Sequence, residues 1–203
     1  MIRFVYFDLG GVVNKDFSAT GKWDDLREEL GIKPSETYEK FWAAVEKDIC
    51  TREEVDTLLP ILKEKFGAKI PKHYSLLDTF VKRFEKNESI WPVIDEIHKT
   101  AQIGLLTMMY PHMFDAIEKS EILPHITWDV VVDSSVVKLV KSDPKIYELA
   151  QEKAGVSGNE ILFVENSKKY LPIAKSFGWQ TFFYDSTNYE KSSEELLNFW
   201  KTL

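Results

Sequence analysis

Several polar residues in this chain stand where short apolar runs end. Asp8 closes the run that begins at Ile2, Thr107 follows Gln102 to Leu106, and Glu165-Asn166 follows Ile161 to Val164. Lys141 precedes a helical stretch that opens at Asp143. A carboxylate, a hydroxyl, an ammonium and a second carboxylate suit phosphoryl transfer, which needs a nucleophile, counter-charge for phosphate oxygens and oxygen ligands for a hard cation. Each residue alone has a plainer use. Asp8 and Thr107 are ordinary turn formers, Lys141 an ordinary solvated lysine, and Glu165 and Asn166 ordinary helix caps. Their shared placement argues for a site, and Gly10-Gly11 lets the backbone after Asp8 turn sharply.

The elements that must position these residues follow from apolar spacing. Ile2 to Phe7 is a short, nearly continuous apolar run, which fits a strand buried on both faces. From Ile90 onward helical and strand-like pieces alternate, the signature of βαβ units. Strands are expected at Gln102–Leu106, Trp128–Val132, Ile161–Val164 and Gln180–Phe183. Helices are expected at Pro92–Lys99, Pro111–Ser120, Asp143–Ala154 and Ser167–Phe177, with Gly178 as a stop, and a last helix opening at Ser192-Ser193-Glu194-Glu195. Residues 15 to 88 show helical spacing only. One stripe is Tyr38, Phe41, Trp42, Val45 and Ile49; another is Val55, Leu58, Leu59, Leu62 and Phe66, opened by a capping box at Thr51-Arg52-Glu53-Glu54 and closed by Gly67. The expected fold is a doubly wound α/β core with a mainly parallel five-stranded sheet, residues 1–14 and 89–203, interrupted by a helical cap, residues 15–88. In such sheets ligands bind at the C-terminal strand ends, where the polar residues stand.

Composition narrows the function classes. A chain of 203 residues with 44% apolar and 13% aromatic side chains builds its core without disulfides or structural metal. Its formal charge of -7 works against diffuse binding to nucleic acid or anionic membrane, so any anion site must be local. No apolar run reaches the length of a membrane span or signal-peptide core, and the lone Cys50 points to a reducing, cytoplasmic setting. His73, His98, His112 and His125 lack metal-ligand spacing. Lys15, Asp16 and Tyr110 border the expected opening. Trp23, Phe41 and Trp42 read as cap core. The aromatic-rich insert permits a homodimer without demanding one.

Four segments together resemble the haloacid dehalogenase superfamily of aspartate-nucleophile hydrolases over nearly the whole chain. Phe7-Asp8-Leu9-Gly10-Gly11-Val12-Val13 resembles its first motif and Leu105-Leu106-Thr107 its second. Lys141-Ser142-Asp143-Pro144-Lys145-Ile146-Tyr147 resembles the third, and Phe163-Val164-Glu165-Asn166 with Ala174 and Gly178 the fourth. The nearest flavour is the sugar-phosphate phosphatases. The resemblance implies a small phosphorylated metabolite as substrate, sugar phosphates among the candidates, and attack by Asp8 to give an aspartyl-phosphate that water hydrolyses. It also implies phosphate binding by Gly10, Gly11, Thr107, Met108 and Lys141, with Mg²⁺ held by Asp8, the Gly10 carbonyl, Glu165 and Asn166.

The chain departs from that pattern at three places. Gly10 stands where family phosphatases usually carry a leaving-group acid, a function worth roughly 10² to 10⁴ in rate. Asn166 replaces a carboxylate, so magnesium is expected to bind weakly, and Met108 replaces a common asparagine. Aspartate restored at positions 10 and 166 is expected to raise activity. A catalytically silent phosphate- or protein-binding module and a metal-free 2-haloacid dehalogenase are the alternatives, although Gly10, Gly11, Val12, Thr107 and Met108 do not follow the dehalogenase motifs.

Overall fold

The computed structural model describes residues 1–203. Its elements in chain order are β1 (Phe4–Phe7), β2 (Asn14–Lys15), α1 (Lys22–Glu29), α2 (Glu36–Ile49), α3 (Leu58–Phe66), α4 (Leu76–Val81), β3 (Glu85–Lys86), α5 (Trp91–His98) and β4 (Gln102–Thr107). They continue with α6 (Met113–Lys119), β5 (Val130–Asp133), α7 (Ser134–Val137), α8 (Lys145–Ala154), β6 (Ile161–Glu165), α9 (Leu171–Ser176), β7 (Gln180–Phe183) and α10 (Tyr189–Trp200). Five strands form one parallel sheet in the order β5-β4-β1-β6-β7. The chain builds outward from β1 to β5, then returns to the other side of β1, which makes the edge between β1 and β6 the topological switch point. Phe7 pairs with Leu105 on one side and Val164 on the other, so the register sets Asp8 between the ends of β4 and β6.

The strands are buried on both faces, as their apolar runs imply. Val5 and Phe7 pack into one apolar cluster and Phe4 and Tyr6 into a second, the two-residue alternation of a strand. The second cluster lies under α8 and α9, where the Tyr6 hydroxyl donates to the Ala150 carbonyl at 2.7 Å. The first cluster is larger and continuous with the helical insert: Leu26, Leu30, Tyr38, Leu62, Leu76 and Phe80 share it with Ile94, Ile103 and Leu105. No helix is long and apolar enough to cross a membrane.

Three expectations need correction. The stretch read as purely helical contains strand: Asn14–Lys15 pairs antiparallel with Glu85–Lys86, joining the entry and exit of the insert. Two-residue strands of polar residues carry no apolar periodicity to reveal them. The capping box at Thr51 does not form; the Thr51 hydroxyl donates back to the Lys47 carbonyl at 2.6 Å, and α3 is entered through a single 3₁₀ turn at Val55–Thr57. The last helix begins earlier, at Tyr189, with the Asn188 side chain accepting from the Lys191 amide at 3.1 Å. Ser192 and Ser193 instead lie buried inside it, bonded to the Asp185 carbonyl and the Tyr184 hydroxyl. Gly67 and Gly178 do take left-handed conformations at helix exits.

Candidate active site

The rim of the sheet gathers the polar residues around one buried ion cluster. Lys141 is 1% exposed, and its Nζ lies 2.7 Å from Asp8 Oδ1 and 2.7 Å from Glu165 Oε2. Aromatic rings of Phe163 and Tyr170 stand 5.6 and 5.5 Å from the same ammonium. Burial opposes the Lys141 charge, but the two carboxylates outweigh it and hold the group above its ordinary range. Two carboxylates share that single cation. Burial, followed by the Asp8 charge, therefore pushes the Glu165 carboxyl up to about 8 against the pull of Lys141. Its other oxygen, Oε1, accepts from the Ser167 amide at 2.8 Å. Both Glu165 oxygens are thus occupied, and the residue orients Lys141.

Asp8 is held on one oxygen only. Oδ1 takes both Lys141 and the Leu9 amide, the latter at 2.7 Å, while Oδ2 has no protein partner. The loop after β1 is tight: the Leu9 carbonyl accepts from the amides of Val12, Val13 and Asn14. Gly11 has φ of +77°, and a Cβ there would lie 2.0 Å from Asn166 Nδ2, so glycine is required for the Asn166 amide to lie against the loop. That amide donates to Ser186 Oγ at 3.0 Å, which in turn donates to the Gly11 carbonyl at 2.7 Å.

Gly10, Thr107 and Met108 line the same cavity as Asp8, Lys141, Glu165 and Asn166. The backbone N–H groups of Gly10 and Met108 and the Thr107 hydroxyl make no hydrogen bond within the protein. These are donors of the kind a phosphoryl group accepts from. Gly11 differs from the sequence expectation: its N–H is spent on the Asn14 carbonyl at 2.9 Å and it is not on the cavity wall. Uncommitted oxygens are Asp8 Oδ2, the Gly10 carbonyl and Asn166 Oδ1. Such hard oxygen donors with a single charge fit a magnesium ion that keeps several waters, and Glu165 is not free to join them.

The cavity encloses about 260 Å³. Phe17, Trp23, Phe80, Phe84 and Met113 form much of its wall, with Phe17 5.1 Å from Phe80 and 4.8 Å from Trp23. Trp23, read as cap core, does pack on Trp42 at 5.1 Å but also faces this space. Asn14 and Ser18 are wall residues that apolar periodicity does not reveal, and Asp16 and Tyr110, noted as bordering the opening, line the cavity itself. Burial above all, and to a lesser degree the Asp8 charge, raises the Asp16 carboxyl above its ordinary range, against hydrogen bonds from Ser18. Glu46 of α2 and Lys169 meet at 3.9 Å at the opening, an exposed contact between the insert and the sheet's rim.

A family model described as haloacid dehalogenase-like hydrolase matches residues 2–178. The chain belongs to the haloacid dehalogenase-like hydrolases. Among curated relatives, bifunctional epoxide hydrolase 2 of Sus scrofa is 21% identical over 92% of this chain, which spans 37% of that protein's length. Among solved structures, a haloacid dehalogenase family enzyme of Bacteroides thetaiotaomicron, in complex with magnesium and inorganic phosphate, superposes with a TM-score of 0.72 at 16% identity, covering 93% of this chain and 96% of that one. The L-2-haloacid dehalogenase of Xanthobacter autotrophicus, with chloropropionic acid covalently bound, superposes at 0.63 and 20% identity, covering 89% of this chain and 76% of that one. The haloacid dehalogenase-like fold is thus shared with enzymes of more than one chemistry, and the site must choose between them.

Proposed function

We propose that this hydrolase is a magnesium-assisted phosphatase of small phosphomonoesters, with residues 15–88 as a cap over a core of residues 1–14 and 89–203. The observation that carries the reading is the set of unpartnered donors, Gly10 N, Met108 N and Thr107 Oγ1, around an aspartate whose Oδ2 is free. They suit the three outer oxygens of a phosphoryl group, together with Lys141. The magnesium and phosphate bound by the Bacteroides thetaiotaomicron enzyme support the same choice.

Asp8 Oδ2 attacks phosphorus while the Leu9 amide and Lys141 hold Oδ1 and fix the carboxylate's orientation. Lys141 stays charged and offsets the negative charge that gathers on Asp8 and the phosphoryl oxygens. Glu165 fixes Lys141 in place. With Oδ2 kept for attack, the Gly10 carbonyl and Asn166 Oδ1 would hold magnesium beside the Asp8 carboxylate, and the ion would supply charge neutralisation at the phosphoryl oxygens. The aromatic wall of Phe17, Trp23 and Phe80 excludes water from the ester and limits the leaving group to small molecules. Hydrolysis of p-nitrophenyl phosphate, with and without magnesium and beside Asp8→Asn, tests the proposal. Turnover that requires both Asp8 and magnesium is expected. Metal-independent release of halide from 2-haloacids without phosphatase activity would overturn it.

A further inference from the structure

Asp16 occupies the space that a side chain at position 10 would fill. An ideal Cβ on Gly10 would lie 2.4 Å from Asp16 Oδ2 and 3.1 Å from its Cγ. The carboxyl group is anchored at one end, where Oδ1 accepts from the Ser18 amide at 2.8 Å. Only Ser18 bonds the Asp16 carboxyl, no cation pairs with it, and the residue lines the cavity that holds Asp8. A second observation comes from the same short ribbon. Asn14 is fully buried on that wall, and both its Oδ1 and its Nδ2 lack any partner. A buried amide left unpaired is costly, and a ligand with its own donor and acceptor relieves that cost. Both residues are placed by pairing of Asn14 with Lys86 and Lys15 with Glu85.

We propose that Asp16 protonates the leaving oxygen in place of the side chain that Gly10 lacks, and that Asn14 hydrogen-bonds a hydroxyl of the departing alcohol. This rests on the phosphoryl-transfer reading given above. As the bond from Asp8 Oδ2 to phosphorus forms and the ester P–O bond breaks, the Asp16 proton passes to the ester oxygen and a neutral alcohol departs. In the second step water attacks phosphorus, its proton passes to Asp16, and inorganic phosphate leaves with Asp8 regenerated. Substrates are therefore esters of alcohols that are poor leaving groups and carry a further hydroxyl within reach of Asn14.

The test is a leaving-group series: p-nitrophenyl phosphate, phenyl phosphate and glycerol phosphate, each with wild type, Asp16→Asn and Asn14→Ala. Asparagine at 16 keeps the acceptor for Ser18 but has no acid proton. Its loss in kcat/KM should grow along the series, from under about tenfold with p-nitrophenyl phosphate to about 10² to 10⁴ with glycerol phosphate. Asn14→Ala should raise KM for glycerol phosphate more than for phenyl phosphate. Two further variants keep the claim decidable if Asp16→Asn folds poorly. Gly10→Asp alone collides with Asp16 and should lower both activity and melting temperature, contrary to the gain the sequence suggests. Gly10→Asp combined with Asp16→Ala returns a carboxyl to the same volume and should exceed Asp16→Ala by at least about tenfold on glycerol phosphate. An equal loss with every leaving group in folded Asp16→Asn, with no recovery in the combined variant, would overturn the assignment and leave the phosphatase standing. Absence of Asp8-dependent turnover across the whole series would instead overturn the phosphatase reading and this one with it.

Discussion

Removing the shared cation should expose how the site is held together. Lys141→Met leaves Asp8 and Glu165 facing each other in a buried pocket with no counter-charge. At an effective dielectric of about 20, a unit pair at 2.7 Å is worth about 6 kcal/mol, so the Asp8 contact gives about 6 kcal/mol of gross attraction and the two together about 12 once Glu165 is ionised. Desolvation of three ions, several kcal/mol each, and repulsion between the carboxylates consume most of it. Deleting one member of a buried pair leaves a net cost of about 3–5 kcal/mol, or about 6–20 °C in Tm for a domain of this size.

The cost must depend on pH. Glu165 is a carboxyl whose folded pKa is raised, to about 8 from an ordinary 4.5, so the fold prefers it protonated. Its contribution to stability is full below about 4.5 and is lost as pH rises through about 8. Without Lys141 the preference strengthens, and the variant should lose most stability at pH 8 and much less at pH 5.5. Adding Glu165→Gln, which removes one of the stranded charges, should recover more than half of the loss at pH 8. Thermal melts of the three proteins at both pH values read this directly. A Lys141→Met variant that melts within about 2 °C of wild type at pH 8, or a loss that is equal at both pH values and unrelieved by Glu165→Gln, would show that Lys141 does not hold the two carboxyls together.

Three other perturbations have defined outcomes. Gly11→Ala places a methyl against the Asn166 amide at a left-handed backbone position, and should cost about 1–3 kcal/mol in a melt and raise the magnesium concentration for half-maximal turnover several-fold. Asn87→Ala removes the buried amide that donates to the Val12 carbonyl at 2.6 Å and the Tyr184 hydroxyl at 2.9 Å; a loss of about 1–3 kcal/mol in urea denaturation is expected, because the Val12 carbonyl is left unpaired. Burial, aided by Glu46 and Asp133, pushes the Cys50 thiol up to about 12, so Ellman's reagent should leave the native protein unlabelled at pH 8 and label it once on unfolding.

The parallel sheet was legible because its strands are buried on both faces and read as unbroken apolar runs. Observed strand bounds differ from the expected ones by at most two residues, as at Gln102–Thr107 and Ile161–Glu165, and Gln180–Phe183 matches. Placement of Asp8, Thr107, Lys141, Glu165 and Asn166 at one rim followed from the same runs. What the sequence hid was set by contacts distant along the chain. Glu165 reads as a magnesium ligand until Lys141, 24 residues away, is seen to occupy its oxygen. Asp16 and Gly10 are six positions apart with nothing local to link them, and only the folded loop puts the carboxyl over the glycine. The ribbon that positions Asn14 pairs it with Lys86 and contains no apolar pattern.

The mechanism turns on a covalent step, the transfer of phosphorus to Asp8. The most direct measurement is acid quenching of the enzyme during turnover of p-nitrophenyl phosphate, followed by peptide mass spectrometry. A peptide containing Asp8 and heavier by one phosphoryl group is expected, absent in Asp8→Asn. A phosphate-free Asp8 peptide under conditions of steady Asp8-dependent turnover, or a phosphoryl group carried on another residue, would contradict it.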